Sequence, residues 1–345
     1  MTSMNPLVDS ADPTWHRYRD NFPRQAMGIT RYLEGQIMER LTGEYGFNRL
    51  RLYYEPYISL VPPEGTRLTD LAEALGISRQ AANQTANQIE AAGYIKRAPD
   101  PDDGRAKRIV LTEQGIDLRR HGVTVAERLE REVGKLIGPR LLKQSVIALV
   151  DFCGQHNLLP PDFNQLQQSR AAMVGLLPRF SDYLTQRLME LTQRRGHGGL
   201  KLSFGQVLSL IGPEGGRILQ IAALQNVSKQ AISAIAGELE EQGYIYREQD
   251  PADARQVLLR FTGLGRKLIE DSVIGIDELE AEIRASIGPD ALDSLRTSLK
   301  KLYHALQLEV SVFSREAPDI SQLARDLREK LGPHARRELA ELLLK

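Results

Sequence analysis

"LTDLAEALGISRQAANQTANQIEAAGYIKRAPDPDDGRAKRIVLTEQG", residues 68–115, decides the fold because its apolar period changes within a single stretch. Leu68, Leu71, Ala72 and Leu75 recur at helical spacing, Gly76 offers the left-handed stop, and Ser78 is a good N-cap for a second helix. That helix is expected over about 78–92. Ala82, Ala86 and Ile89 mark its inner face, with Arg79, Gln80, Asn83, Gln84 and Asn87 on the outer one. Gly93 ends it, and "YIKRA" and "KRIVLT" read as two strands around the turn "PDPDDG". Helix, tight turn, helix and hairpin make a winged helix-turn-helix, its wing over about 94–112.

A second copy lies 150 positions on. "SLVPPEGTRLTDLAEALGISRQA" (59–81) aligns without gaps over "SLIGPEGGRILQIAALQNVSKQA" (209–231), and "AAGYIKRAPDPDD" (91–103) over "EQGYIYREQDPAD" (241–253). Gly76 becomes Asn226, the other residue that tolerates the left-handed conformation. The second recognition helix is expected over about 228–242 and its wing over about 244–262. The pattern divides the chain into a first repeat, 1–160, a second, 161–313, and a helical extension, 314–345. Long helical segments flank each winged unit, broken by "GP" at 138 and 139 and by "PP" at 160 and 161. The fold class is therefore mainly α with small β wings.

Composition limits the function. The 345 residues carry 45 Lys+Arg and 45 Asp+Glu, so any electrostatic function must be local. The halves differ slightly, with 21 basic and 19 acidic residues up to position 150 and 24 and 26 after it. One cysteine, Cys153, and six scattered histidines offer neither a disulfide framework nor metal-ligand spacing. No apolar run is long enough to span a bilayer and the N-terminus lacks a signal pattern, so a cytoplasmic protein without membrane contact is expected. No nucleophile elbow, P-loop or βαβ alternation is present. The chain reads as non-enzymatic, without cofactor or metal.

The stretch 68–115 resembles the MarR (multiple antibiotic resistance regulator) family of bacterial transcription factors almost throughout. It carries the D-x-R wing signature, Asp103 and Arg105, and the "LTEQG" exit into a long helix. The second copy, 218–265, keeps "VSKQAI", "GYIYR", Asp253, Arg255 and "FTGLG". The resemblance implies two subunits fused into one chain, a monomer acting as a pseudo-dimer. Interlocking terminal helices would place 20–45, 140–195 and 290–313 in one helical body, with the extension packed on it. It also implies a transcriptional regulator, a repressor by family analogy.

The partner expected is double-stranded DNA. Arg79 can bind guanine in a bidentate fashion, and Gln80, Asn83, Gln84 and Asn87 suit adenine. Ser78, at the helix start, suits a phosphate. In the wing, Arg105 is placed for a minor groove with Asp103 orienting it, and Lys107 and Arg108 add charge. The second copy offers Ser228, Lys229, Gln230, Ser233, Asp253 and Arg255. It puts Ala234, Gly237 and Glu238 where the first has Gln84, Asn87 and Gln88, and Val257 and Leu258 where the first has Lys107 and Arg108. Two unequal heads one helical turn apart imply an imperfect palindrome, with the first supplying most of the specificity.

By the same resemblance, a small aromatic or anionic effector is expected near Tyr53, Tyr54, Tyr57 and Phe204; the plain reading of aromatics at helical spacing is core packing. Cys153, in the apolar "VIALVDFCG", reads as a buried hydrophobe rather than a redox switch. The alternative function is a winged-helix interaction scaffold, or a general chromatin-associated protein without a specific operator.

Overall fold

A computed structural model describes residues 13–101, 103–160, 171–212, 215–225, 227–251 and 253–308, with the side chains of Arg105, Asp253 and Arg255 among those outside it. The extension 314–345 and the turn residue Asn226 also lie outside the described residues. Two compact units result, and each is treated by itself: Ser203–Gly265, and Ala11–Leu202 together with Arg266–Glu309.

The larger unit is built from helices α1 (Pro13–Arg19), α2 (Phe22–Gly43), α3 (Glu55–Leu60), α4 (Leu68–Ala74), α5 (Arg79–Ala91), α6 (Glu113–Ile137), α7 (Pro139–Gln155) and α8 (Ala172–Arg194). Most of α12 (Gly263–Ile287) and all of α13 (Pro289–Ala305) belong to it as well. Asn21 opens α2 by accepting the Arg24 N–H, and Pro23 occupies the first turn where no N–H is needed. The predicted "GP" breaks are real: Gly138 (φ 93°) and Gly288 (φ 83°) turn the chain, and Pro139 and Pro289 start the next helix.

The two repeats exchange helices in this body. α7 packs on α8 and α13, while α13 packs on α2, α6 and α7, so the last helix of each repeat lies on the leading helix of the other. Lys301 of α13 donates to the Ile137 carbonyl at the end of α6, 3.1 Å away. Phe152 meets Phe180 edge to face at 4.9 Å in the core, which also buries Cys153. Burial pushes the Cys153 thiol up to about 11, far from reactive thiolate chemistry.

α8 repeats α2, though at a different offset from the winged units. The buried Phe22, Ala26, Ile29, Thr30 and Leu33 correspond to Met173, Leu177, Phe180, Ser181 and Leu184, which are 151 positions on rather than 150. The left-handed Gly46 and Gly196 restore the spacing of 150, so the odd residue is absorbed where these helices end.

In the first winged unit α4 and α5 support a sheet of order β1-β3-β2, with β1 at Thr66–Arg67, β2 at Ile95–Asp100 and β3 at Asp103–Leu111. The smaller unit repeats it with α9 (Leu202–Leu208), α10 (Ile218–Gln225), α11 (Lys229–Glu241), β4 (Gly216–Arg217), β5 (Ile245–Asp250) and β6 (Asp253–Phe261). The sequence reading missed β1 and β4, since two residues carry no period. "LTEQG" has a structural explanation. Thr112 accepts the Gly115 N–H at 3.1 Å and donates to the Gly93 carbonyl at 2.6 Å; a Cβ on Gly115 would stand 2.0 Å from the Tyr94 carbonyl oxygen. Thr262 and Gly265 repeat the arrangement against Gly243 and Tyr244. Each wing is thereby clamped to the helix that leaves it.

Candidate nucleic-acid interface

Helix α5 starts as its sequence directs. Ser78 caps it by accepting the Ala81 N–H at 3.2 Å, which leaves the hydroxyl proton available to a phosphate. Ala82, Ala86 and Ile89 are buried, and Arg79, Gln80, Asn83, Gln84 and Asn87 are exposed. The predicted outer face is thus one continuous polar surface.

A residue missed in the sequence modifies that face. Arg97 of β2 donates to Asn83 Oδ1 at 3.0 Å and Asn87 Oδ1 at 2.7 Å, and pairs with Glu90. Bidentate adenine recognition needs both the oxygen and the nitrogen of an amide. With their oxygens engaged, Asn83 and Asn87 are left as donors, suited to guanine, thymine or phosphate acceptors. Arg79, Gln80 and Gln84 make no side-chain hydrogen bond among the described residues.

One cation of the wing has a partner that the sequence did not suggest. Asp100, whose side chain is fully buried, receives Arg67 Nε at 2.6 Å and Arg108 Nε at 3.1 Å. Arg108 is 21% exposed and its Nε donates to Asp100, so it helps to build the wing. Asp100 in turn raises the Arg67 guanidinium above its ordinary value by hydrogen bond and charge. Lys107 projects freely, and Asp103 is exposed at the turn. The Arg105 side chain, and with it the pairing expected with Asp103, lies outside the described residues. The signal for the missed residues was present in the repeat, where Arg67, Glu90, Arg97 and Asp100 recur as Arg217, Glu240, Arg247 and Asp250.

The second head keeps the frame with fewer reading groups. Ser228 caps α11 through the Ala231 N–H at 3.1 Å, and Lys229 and Gln230 are exposed. Arg217 Nε holds Asp250 at 2.6 Å, while Leu258, at the place of Arg108, is buried. Arg247 donates to the Ser233 carbonyl at 2.9 Å, where Arg97 holds amide side chains. The side chains of Asp253 and Arg255 are outside the described residues.

Of the residues expected around an effector, Tyr53 and Tyr54 line one cleft of the larger unit. Tyr54, Tyr57 and Phe204 are buried core residues; Tyr53 is 50% exposed and donates to Gln88 Oε1 at 2.7 Å. Tyr53 and Tyr54 sit in a 3-10 turn, Leu52–Tyr54, and Tyr57 in the short α3. That cleft, of about 470 Å³, lies between Arg49, Arg51, Tyr53 and Tyr54 and the end of α5 at Gln88. A second cleft of the larger unit, of about 420 Å³, lies beside His156, Tyr183 and the Arg187–Glu282 pair.

Two separate segments, 57–106 and 199–256, match the MarR family model. The chain carries two MarR-family regions in tandem. Each match takes in a helix-turn-helix and part of a wing, and the MarR class is one of DNA-binding transcription regulators. Among solved structures, the chain is similar to a transcriptional regulator from Thermotoga maritima at 21% identity, over 39% of this chain and 96% of that one, with a TM-score of 0.30. A MarR-family regulator from Rhodococcus sp. RHA1 matches at 24% over 39% and 93%, with a TM-score of 0.31. CouR from Rhodococcus jostii RHA1, bound to p-coumaroyl-CoA, matches at 25% over 42% and 94%, with a TM-score of 0.31. No helix among the described residues is long and apolar enough to cross a membrane.

Proposed function

We propose that this chain is a sequence-specific regulator of transcription that binds double-stranded DNA as a single-chain pseudo-dimer, acting as a repressor. Its units are the repeats 1–160 and 161–313, with 314–345 as an appended extension. The observation that carries the reading is the exposed face of α5, where Arg79, Gln80 and Gln84 make no side-chain hydrogen bond among the described residues, on a helix-turn-helix braced by a wing. Arg79 reads guanine, and Gln80 and Gln84 read neighbouring base edges. Ser78, Asn83, Asn87, Lys107 and the Asp103–Arg105 signature serve phosphates and the groove rim. In the second head Ser228, Lys229, Gln230, Ser233, Asp253 and Arg255 contribute mainly affinity, so the operator is an imperfect palindrome.

A small aromatic or anionic effector belongs to the same proposal, in keeping with the ligand on CouR. The cleft lined by His156, Tyr183 and Arg187 combines aromatic side chains with a cation, a lining that suits an aromatic anion. A thermal-shift screen of aromatic acids, repeated on Tyr183→Ala, tests this part.

Retardation of genomic fragments at low and moderate salt tests the main reading. Binding confined to particular fragments, weakening steeply with salt at one chain per duplex, is expected. Salt-independent retention, or equal retention of every fragment, would favour a scaffold or general chromatin protein. An obligate two-chain complex in sedimentation would overturn the pseudo-dimer.

A further inference from the structure

Resting on the DNA-binding reading above, we propose that Arg49, Arg51 and Tyr53 form a backbone-phosphate clamp at the far end of the first recognition helix, absent from the second head. Helix α5 has 13 residues and is therefore about 20 Å long, whereas the major groove is about 12 Å wide. With Arg79–Gln84 over the bases, the last turn extends beyond the groove, where the phosphate strand runs. Gln80, Gln84 and Gln88 follow one another at intervals of four along one face and lead to that end. Gln88 accepts the Tyr53 hydroxyl at 2.7 Å. Beyond this bond lies the cleft of about 470 Å³, with Arg49 and Arg51 on its wall.

Three features mark the cleft as a phosphate site. Neither Arg49 nor Arg51 has a carboxylate partner among the described residues, and both are exposed, whereas Arg17, Arg40 and Arg187 are each clamped by carboxylates. Arg49 also holds a left-handed backbone, φ 58°, which an arginine adopts only at a cost. The second repeat keeps one cation of the set and loses the rest: Lys201 stands for Arg51, but Gly199 and Ser203 replace Arg49 and Tyr53, and Glu238 and Glu241 replace Gln88 and Ala91. Two acids at the helix end would repel a phosphate. The occupant is the DNA backbone, because the open cleft continues the reading face of the same helix. The clamp lengthens the contact of the first head alone.

The test is a salt series on the full chain, comparing wild type with Arg49→Ala/Arg51→Ala on a retarded genomic fragment and on an unrelated duplex of equal length. Each lost phosphate contact lowers the slope of log affinity against log salt by about 0.9, so the double variant should lose about 1.8, equally on both DNAs. Base preference should stay unchanged. Arg140→Ala/Lys143→Ala, on exposed positions of α7, should leave the slope intact. If wild type shows no salt-dependent binding, the DNA-binding reading fails and the clamp with it. If wild type binds and the double variant keeps its slope, the clamp alone is overturned. Inorganic phosphate stabilising wild type but not the double variant, with the DNA slope unaltered, would overturn it in favour of a free-anion site.

Discussion

The two heads share their construction and differ in their exposed chemistry. Both use a serine-capped recognition helix, a Thr–Gly clamp between wing and exit helix, and an Arg–Asp bond that ties the short first strand to the hairpin. In the first, the remaining surface is arginine, glutamine and asparagine; in the second, alanine, glycine, valine and glutamate take many of those places. Most groups that hold the wing in shape recur, with Leu258 in place of Arg108 as the exception, while exposed polar and cationic groups are thinned. Fusion permits this, because a homodimer must present the same face twice.

The sharpest way to break the comparison is to remove the reading groups on each side. Arg79→Ala/Gln80→Ala should cost about 1–3 kcal/mol of base discrimination per lost bidentate contact, flattening preference at the first half-site. Lys229→Ala/Gln230→Ala should weaken binding to all sequences alike, as competition titrations against single-base operator variants will register. Equal loss of discrimination from both would show that the heads are not specialised.

Next in size is the frame. Arg67→Ala removes a cation from the buried Asp100 and should destabilise the first wing by about 1–3 kcal/mol in thermal unfolding. Arg217→Ala should do likewise to the second. If neither moves the transition, the buried aspartates are not what holds the hairpins.

A third contrast lies in the helical body. Glu130 and Glu280 are equivalent, but Glu130 accepts the Met173 and Val174 N–H groups at 3.1 and 2.9 Å, whereas Glu280 is bound by Arg17 and Arg296. The residue matching Val174 at the start of α2 is Pro23, which has no N–H to give. Without a cation, burial raises the Glu130 carboxyl to about 7 from an ordinary 4.5. A raised folded value means that stability is fully present below about 4.5 and is lost as pH rises towards about 7. Glu34, also raised to about 7 by burial with Asp182 adding repulsion, acts in the same direction. Melting temperatures between pH 4.5 and 8 should therefore fall less steeply in Glu130→Gln than in wild type. An unchanged slope would count against Glu130 as a source.

The smallest effect expected is a gain. Val257 is exposed where Lys107 stands in the first wing, so Val257→Lys should steepen the salt slope by about 0.9 if the second wing approaches a phosphate. An unaltered slope would place that wing away from DNA.

The winged units, their order and the long exit helices were legible because each carries a period or a punctuating residue, from Gly76 to Gly138 and Pro139. What escaped reading depends on contacts between distant positions. Arg97 sits in a strand next to Lys96 and looks like another surface cation; only the fold brings it onto Asn83 and Asn87 fourteen and ten positions back. Arg108 is similar, since nothing adjacent in the chain distinguishes it from Lys107, yet alternation in β3 turns one outward and the other towards Asp100. In "RLYYEPY" the helical spacing of the aromatics reads as core packing, and Tyr54 and Tyr57 are buried accordingly, while Tyr53 stays half exposed and lines, with Tyr54, the cleft at the end of α5.

Selection of bound sequences from a random duplex pool by the wild-type chain tests the central claim most directly. The account predicts one strongly specified half-site and, about one helical turn away, a second that is only weakly specified. Two half-sites of equal information content, arranged as a perfect palindrome, would contradict it.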